Sequence, residues 1–109
     1  MAQTFFYLSF GVEEANRLLD REGFSRPSAS GRGTGHPLEG YRKLGSDIEA
    51  RVTRLSPVLM QEHHARSRIE ISYRADGDEA AKYATLVQNL LSEATAVTDA
   101  YGQPLASDN

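Results

Sequence analysis

Residues 36–56 read His-Pro-Leu-Glu-Gly-Tyr-Arg-Lys-Leu-Gly-Ser-Asp-Ile-Glu-Ala-Arg-Val-Thr-Arg-Leu-Ser, and the conformation assigned to them decides the architecture. Leu38, Tyr41, Ile48, Val52, Leu55 and, just beyond, Leu59 recur at spacings of three, four or seven, the mark of one helical face. Pro37 suits a first helical turn, where a missing N–H costs nothing. Glu39–Lys43 and Asp47–Arg51 are acid-first pairs four residues apart, each adding a few tenths of a kcal/mol to a helix. Pro57 disfavours helical backbone at Ser56. The spacing therefore predicts a helix from Pro37 to Ser56.

Upstream, Gln3 to Phe10 holds Phe5, Phe6, Tyr7, Leu8 and Phe10, apolar on both alternating faces, as in a central strand covered on both sides. Val12 to Glu22 reads as an amphipathic helix with Glu13 and Glu14 near its positive end. Gly23 followed by Phe24 is a Schellman stop, with Phe24 folding back onto Leu19. Residues 25–36 follow as a flexible loop rich in Gly, Ser and Arg and free of acids.

Downstream, Val58 to His64 reads as a strand and 65–68 as a tight connection. Ile69, Ile71 and Tyr73 alternate with Glu70, Ser72 and Arg74, the pattern of a half-buried antiparallel strand. Asp76-Gly-Asp-Glu79 resembles a capping box before a last helix running from Ala80 to about Val97, closed by Gly102 and Pro104. Thr95, Val97 and Thr98 are β-branched, so 94–101 becomes a further strand if that helix stops early.

The order β-α-α-β-β-α gives an α+β two-layer sandwich: a three-stranded antiparallel sheet, or four with 94–101, and helices on one face. It is a variant of the ferredoxin-like order with the middle helix inserted. Residues 1–103 form one domain and 104–109 a disordered tail. A small sheet with unpaired edges favours a homodimer.

The chain has 109 residues, a net charge of −3 and no cysteine, which excludes disulfides, thiolate metal sites and a cysteine nucleophile. No membrane span is expected, nor a secretion signal, since the N-terminus lacks a basic region and a small-residue cleavage site. A cytoplasmic location is expected. Residues 25–75 carry nine bases against five acids, and 76–109 six acids against Lys82 alone, so a basic and an acidic face are expected on one body.

Backbone amides of Gly31, Gly33 and Gly35, with Arg26, Arg32 and His36, make the loop a candidate anion site ahead of a helix start. It lacks the Gly-Lys-Ser/Thr of a phosphate loop, and a helix precedes it where a dinucleotide fingerprint needs a strand. A plain connector is the simpler reading. His63 and His64, adjacent on a strand, point to opposite faces and do not chelate one metal. No metal site or cofactor is expected, and no catalytic constellation is present. Arg68, Arg74 and His64 form a candidate interaction surface; with Glu70 between the arginines, a solvated and internally paired face is the simpler alternative. Nucleic acid is disfavoured, because the chain is acidic overall and Tyr73 lies on the other face from these arginines.

These observations leave two functions. The first is a small non-catalytic interaction protein that binds and modulates another macromolecule, of inhibitor, immunity or regulatory type, through its charged faces. The second is binding or sequestration of a small phosphorylated or nucleotide-like ligand by the Gly/Arg loop.

Overall fold

Phe6 and Leu8 alternate with Phe5 and Tyr7 along the first strand, β1 (Ala2–Leu8), and this doubly apolar strand lies inside the sheet. The computed structural model describes residues 2–26, 40–74 and 79–104. Its elements run β1, α1 (Val12–Arg21), β2 (Arg42–Leu44), β3 (Ile48–Arg54), α2 (Pro57–His63), β4 (Ser67–Tyr73), α3 (Ala80–Leu91) and β5 (Ala94–Asp99). The fold is α+β. The five strands form one sheet in the order β2-β3-β4-β1-β5, every neighbouring pair antiparallel.

α1 ends as its sequence predicts. Gly23 takes φ +93, its N–H donates to Asp20 O and the Phe24 N–H to Leu19 O, each at 3.1 Å. That is the paired bonding of a Schellman motif, and it turns Phe24 into the core beside Leu19. α1 and α3 then cover one sheet face. Phe6, Leu8, Leu19, Ile69, Ile71 and Leu90 are fully buried between the layers, each contributing about 1.5–3 kcal/mol.

Within the described residues, from Gly40 on, the helix predicted over Pro37–Ser56 is instead the hairpin β2–β3. Ile48, Ala50 and Val52 are buried in strict alternation with Glu49, Arg51 and Thr53. Ile48 and Val52 are four residues apart, a spacing that satisfies both a helical turn and a strand's period of two. Small Ala50 carries the intervening inward position, so the alternation is masked in the sequence. Gly45 closes the hairpin at φ +68, a conformation that favours glycine, and a Cβ there would run into the Glu79 carboxylate. Leu38 of the predicted stripe lies outside the described residues.

Two further elements differ from the sequence expectation. Val58–His64 belongs to α2, not to a strand: Ser56 is its N-cap, with Oγ accepting from the Leu59 N–H at 3.4 Å, and Pro57 occupies the first turn. Pro57 thus opens a helix where it was expected to end one. The last helix stops at Leu91, and its β-branched continuation forms β5, so the sheet has five strands rather than three or four. Helices also lie on both sides. α2 laps the far end of the opposite face, where Leu59 packs with Tyr7, Leu55 and Ala65.

Of the predicted capping box, 76–78 lie outside the described residues. Glu79 is the N-cap residue of α3, yet its side chain caps no helical N–H. Its carboxylate accepts instead from the Ser46 and Asp47 N–H groups at 3.2 and 2.9 Å, pinning the β2–β3 turn to α3. The Asp47 N–H, followed by Lys82 and the Ser46 N–H, holds the Glu79 carboxyl below the ordinary carboxylate range. Pro104, expected to begin the tail, makes an antiparallel bridge to Thr98, and 105–109 lie outside the described residues.

Candidate functional site

Because α1 and α3 cover only one face, every second residue of β1, β3 and β4 is directed to the other. Register places these side chains in three rows across the sheet. Lys43, Glu49, Ser72 and Gln3 form the first. Arg51, Glu70, Phe5 and Thr98 form the second, with Tyr41 beside Arg51, whose guanidinium lies 5.3 Å from the Tyr41 ring centre. Thr53, Arg68, Tyr7 and Ala96 form the third.

Opposite residues on neighbouring strands sit about 4.8 Å apart, and successive rows about 6.8 Å. The rows therefore resolve into diagonal stripes. Lys43, Arg51 and Arg68 make a cationic diagonal, and Glu49 and Glu70 an acidic diagonal one strand over. Arg68 and Glu70 are ion-paired at 2.8 Å with side chains only 21% and 20% exposed, so this end of the stripes is held, while Lys43 at the other end is exposed. Arg68 also lies over Phe5 at 4.6 Å and Tyr7 at 5.9 Å from the ring centres.

Tyr7 is itself buried. His63 stacks on it with ring centres 4.0 Å apart, and its OH accepts a 3.4 Å bond from Thr98 Oγ1. α2 thus closes one end of this face. The other end opens into a groove of about 610 Å³, lined by Gln3, Ser25, Arg26, Tyr41, Lys43, Glu49, Arg51, Glu70 and Ser72.

On the helix side, Arg42 anchors the start of β2. It is 2% exposed and donates to Ser25 O (2.7 Å), Asn16 O (3.1 Å), Asn16 Oδ1 (2.7 Å) and the Asp20 carboxylate. The Ser25 N–H in turn donates to Lys43 O at 2.8 Å, and Ser25 Oγ accepts from the Lys43 N–H at 2.9 Å. One buried guanidinium therefore joins α1, the first residue of the Gly/Arg loop and the strand after it.

Of the loop site named from sequence, Gly31, Arg32, Gly33, Gly35 and His36 lie outside the described residues, and Arg26 is exposed at the groove's margin. The candidate surface of Arg68, Arg74 and His64 is not one cluster. Arg68 lies in β4, while Arg74 follows the strand's last residue, six residues and roughly 20 Å away along the chain. The Arg74 N–H bonds to Asp47 O at 3.1 Å at the hairpin end.

His64 ends α2 at φ 52, exposed, and its N–H donates to Met60 O. His63 and His64 are therefore helix-end residues rather than strand neighbours. Among the described residues no three of His, Cys, Asp and Glu gather where a metal ion could be held, and no helix is long and apolar enough to cross a membrane.

Sequence reasoning missed Phe5, Tyr41, Lys43, Glu49 and Arg51 as members of one surface. Reading 48–54 at period two would have exposed Glu49 and Arg51. The alignment with Glu70 and Phe5 depends on register, which no single segment carries. Against known proteins, no family model, no curated protein and no solved structure matches this chain.

Proposed function

We propose that this chain is a non-catalytic interaction protein, a ferredoxin-like variant, whose open sheet face binds and modulates another macromolecule. The observation that carries this is the sheet's asymmetry: one face is covered by α1 and α3, the other holds ordered charge stripes beside half-buried Phe5. Setting β2 and α2 aside leaves strand–helix–strand–strand–helix–strand with β1 and β4 innermost, which supports the ferredoxin-like assignment. Surface charges at fixed spacing give a partner orientation and encounter rate more than raw affinity.

The test is native mass spectrometry of the protein purified from its own cells. A bound macromolecule is expected on the wild type, lost in Lys43→Glu/Arg51→Glu and kept in Arg17→Glu, which alters the exposed outer side of α1. Retention of the same partner by the first variant would overturn the assignment of the open face.

Arg26, Lys43 and Arg51 around one groove favour a second reading, a small phosphorylated ligand held at the base of the loop. Glu49 and Glu70 in the same groove oppose it, since they cancel much of the field such an anion would need.

A further inference from the structure

The two diagonal stripes are related in a way that suits one partner above others. A cationic row, Lys43–Arg51–Arg68, runs beside an acidic row, Glu49–Glu70, on one face. A purely anionic ligand would meet the acids, and a purely basic one the arginines. A surface carrying the same two stripes in reversed order would meet neither conflict, and a second copy of this chain, turned over about a two-fold axis, is such a surface.

We infer that the open face is the contact between two copies of this chain, with the two-fold axis lying in the plane between the sheets and running between the two stripes. Rotation about that line lays Lys43 and Arg51 of each copy over Glu49 and Glu70 of the other, while Arg68 stays paired with Glu70 of its own chain; this is the self-complementarity an isologous interface requires. This rests on the open face being the interaction surface and names its occupant.

The geometry is specific. Each stripe advances one strand (about 4.8 Å) for every two residues (about 6.8 Å), so it runs roughly 35° from the strands. A two-fold along that direction crosses the two sheets' strands at roughly 70°, nearer the orthogonal class of sheet packing than the aligned one. α2 covers the third row, so the contact is confined to the two open rows, roughly 24 by 14 Å at most. A footprint of that size lies below the standard interface class, as for a weak, reversible dimer with Kd on the order of 100 µM. Phe5, half-buried beneath the Arg68 guanidinium, lies next to the acidic stripe and supplies apolar contact.

Sedimentation equilibrium of the full chain from about 1 to about 200 µM tests this, the range in which such an interface associates. The wild type is expected to dimerise, with affinity falling about tenfold between low and high salt as the stripes are screened. Lys43→Glu/Arg51→Glu makes both stripes predominantly acidic, and Glu49→Lys/Glu70→Lys makes both basic. Each variant alone is expected to lose at least about tenfold in self-affinity, and an equimolar mixture to restore a heterodimer, resolved by mass in native mass spectrometry.

Circular dichroism checks that each variant folds. Where a double reversal does not fold, Arg51→Glu and Glu70→Lys are mixed in the same way. A wild type that stays monomeric throughout overturns the proposal, as do variants that dimerise like the wild type or a mixture that stays monomeric. A monomer that still carries a foreign macromolecule from cells, lost in the same variants, would remove the second copy and leave the interaction reading standing.

Discussion

Arg42 does the work of a small core in a place where the main-chain path has little else to hold it. Its guanidinium ties its own strand to two other segments, α1 and Ser25, and is 2% exposed, while its carboxylate partner Asp20 is 65% exposed. The fork geometry matters as much as the charge, because Nε, Nη1 and Nη2 each meet a different acceptor. Arg42→Ala is expected to lower stability by about 3 kcal/mol in urea unfolding, through a cavity and unsatisfied carbonyls at Ser25 and Asn16. Arg42→Lys is expected to recover less than half of that loss, having no fork. Nothing in the sequence marks this arginine, which reads as one more exposed helical charge. By contrast Gly23-Phe24 was legible, because the glycine's φ and the bonds it closes are decided within six residues.

At the scale of elements, the misread stretch shows where periodicity loses its power. Ile48 and Val52 fit a helix and a strand equally, and the local acid–base pairs favoured the helix. What decides the matter is pairing with β4, where Ile48, Ala50 and Val52 oppose Tyr73, Ile71 and Ile69. That is a tertiary fact, invisible in the segment alone. β4 was legible because Ile69, Ile71 and Tyr73 show the alternation with large side chains.

The hairpin's tie to α3 has a pH signature. The Glu79 carboxyl is held below its ordinary value in the folded chain, so its contribution is present above the unfolded value. It is lost as pH falls through the folded one. Thermal melts of wild type and Glu79→Gln are expected to differ most near neutrality and to converge as pH falls through the folded carboxyl's value, below the ordinary carboxylate range. A difference that does not narrow on acidification would contradict this.

At the scale of the whole molecule, the sequence predicted basic and acidic regions, and the structure rearranges what that means. Segment charge placed the bases in 25–75 and the acids at the C-terminal end. The open face is built instead from alternating residues of β3 and β4, where Arg and Glu interleave at one-strand spacing. No linear tally resolves such a pattern, because it appears only once three strands are in register. The open face itself was unreadable for a related reason: the predicted middle helix would have occupied the chain that supplies two of its strands.

The most direct measurement uses the absence of cysteine, which makes any introduced thiol unique. Ser72→Cys places one thiol on the open face beside the stripes, and Arg17→Cys places one on the outer side of α1. Each is treated with a short bismaleimide at concentrations near the expected Kd. Ser72→Cys is expected to yield a cross-linked dimer that disappears when Arg51→Glu is added, while Arg17→Cys stays monomeric. Cross-linking at Arg17→Cys with none at Ser72→Cys would place the contact on the helical layer and contradict the account.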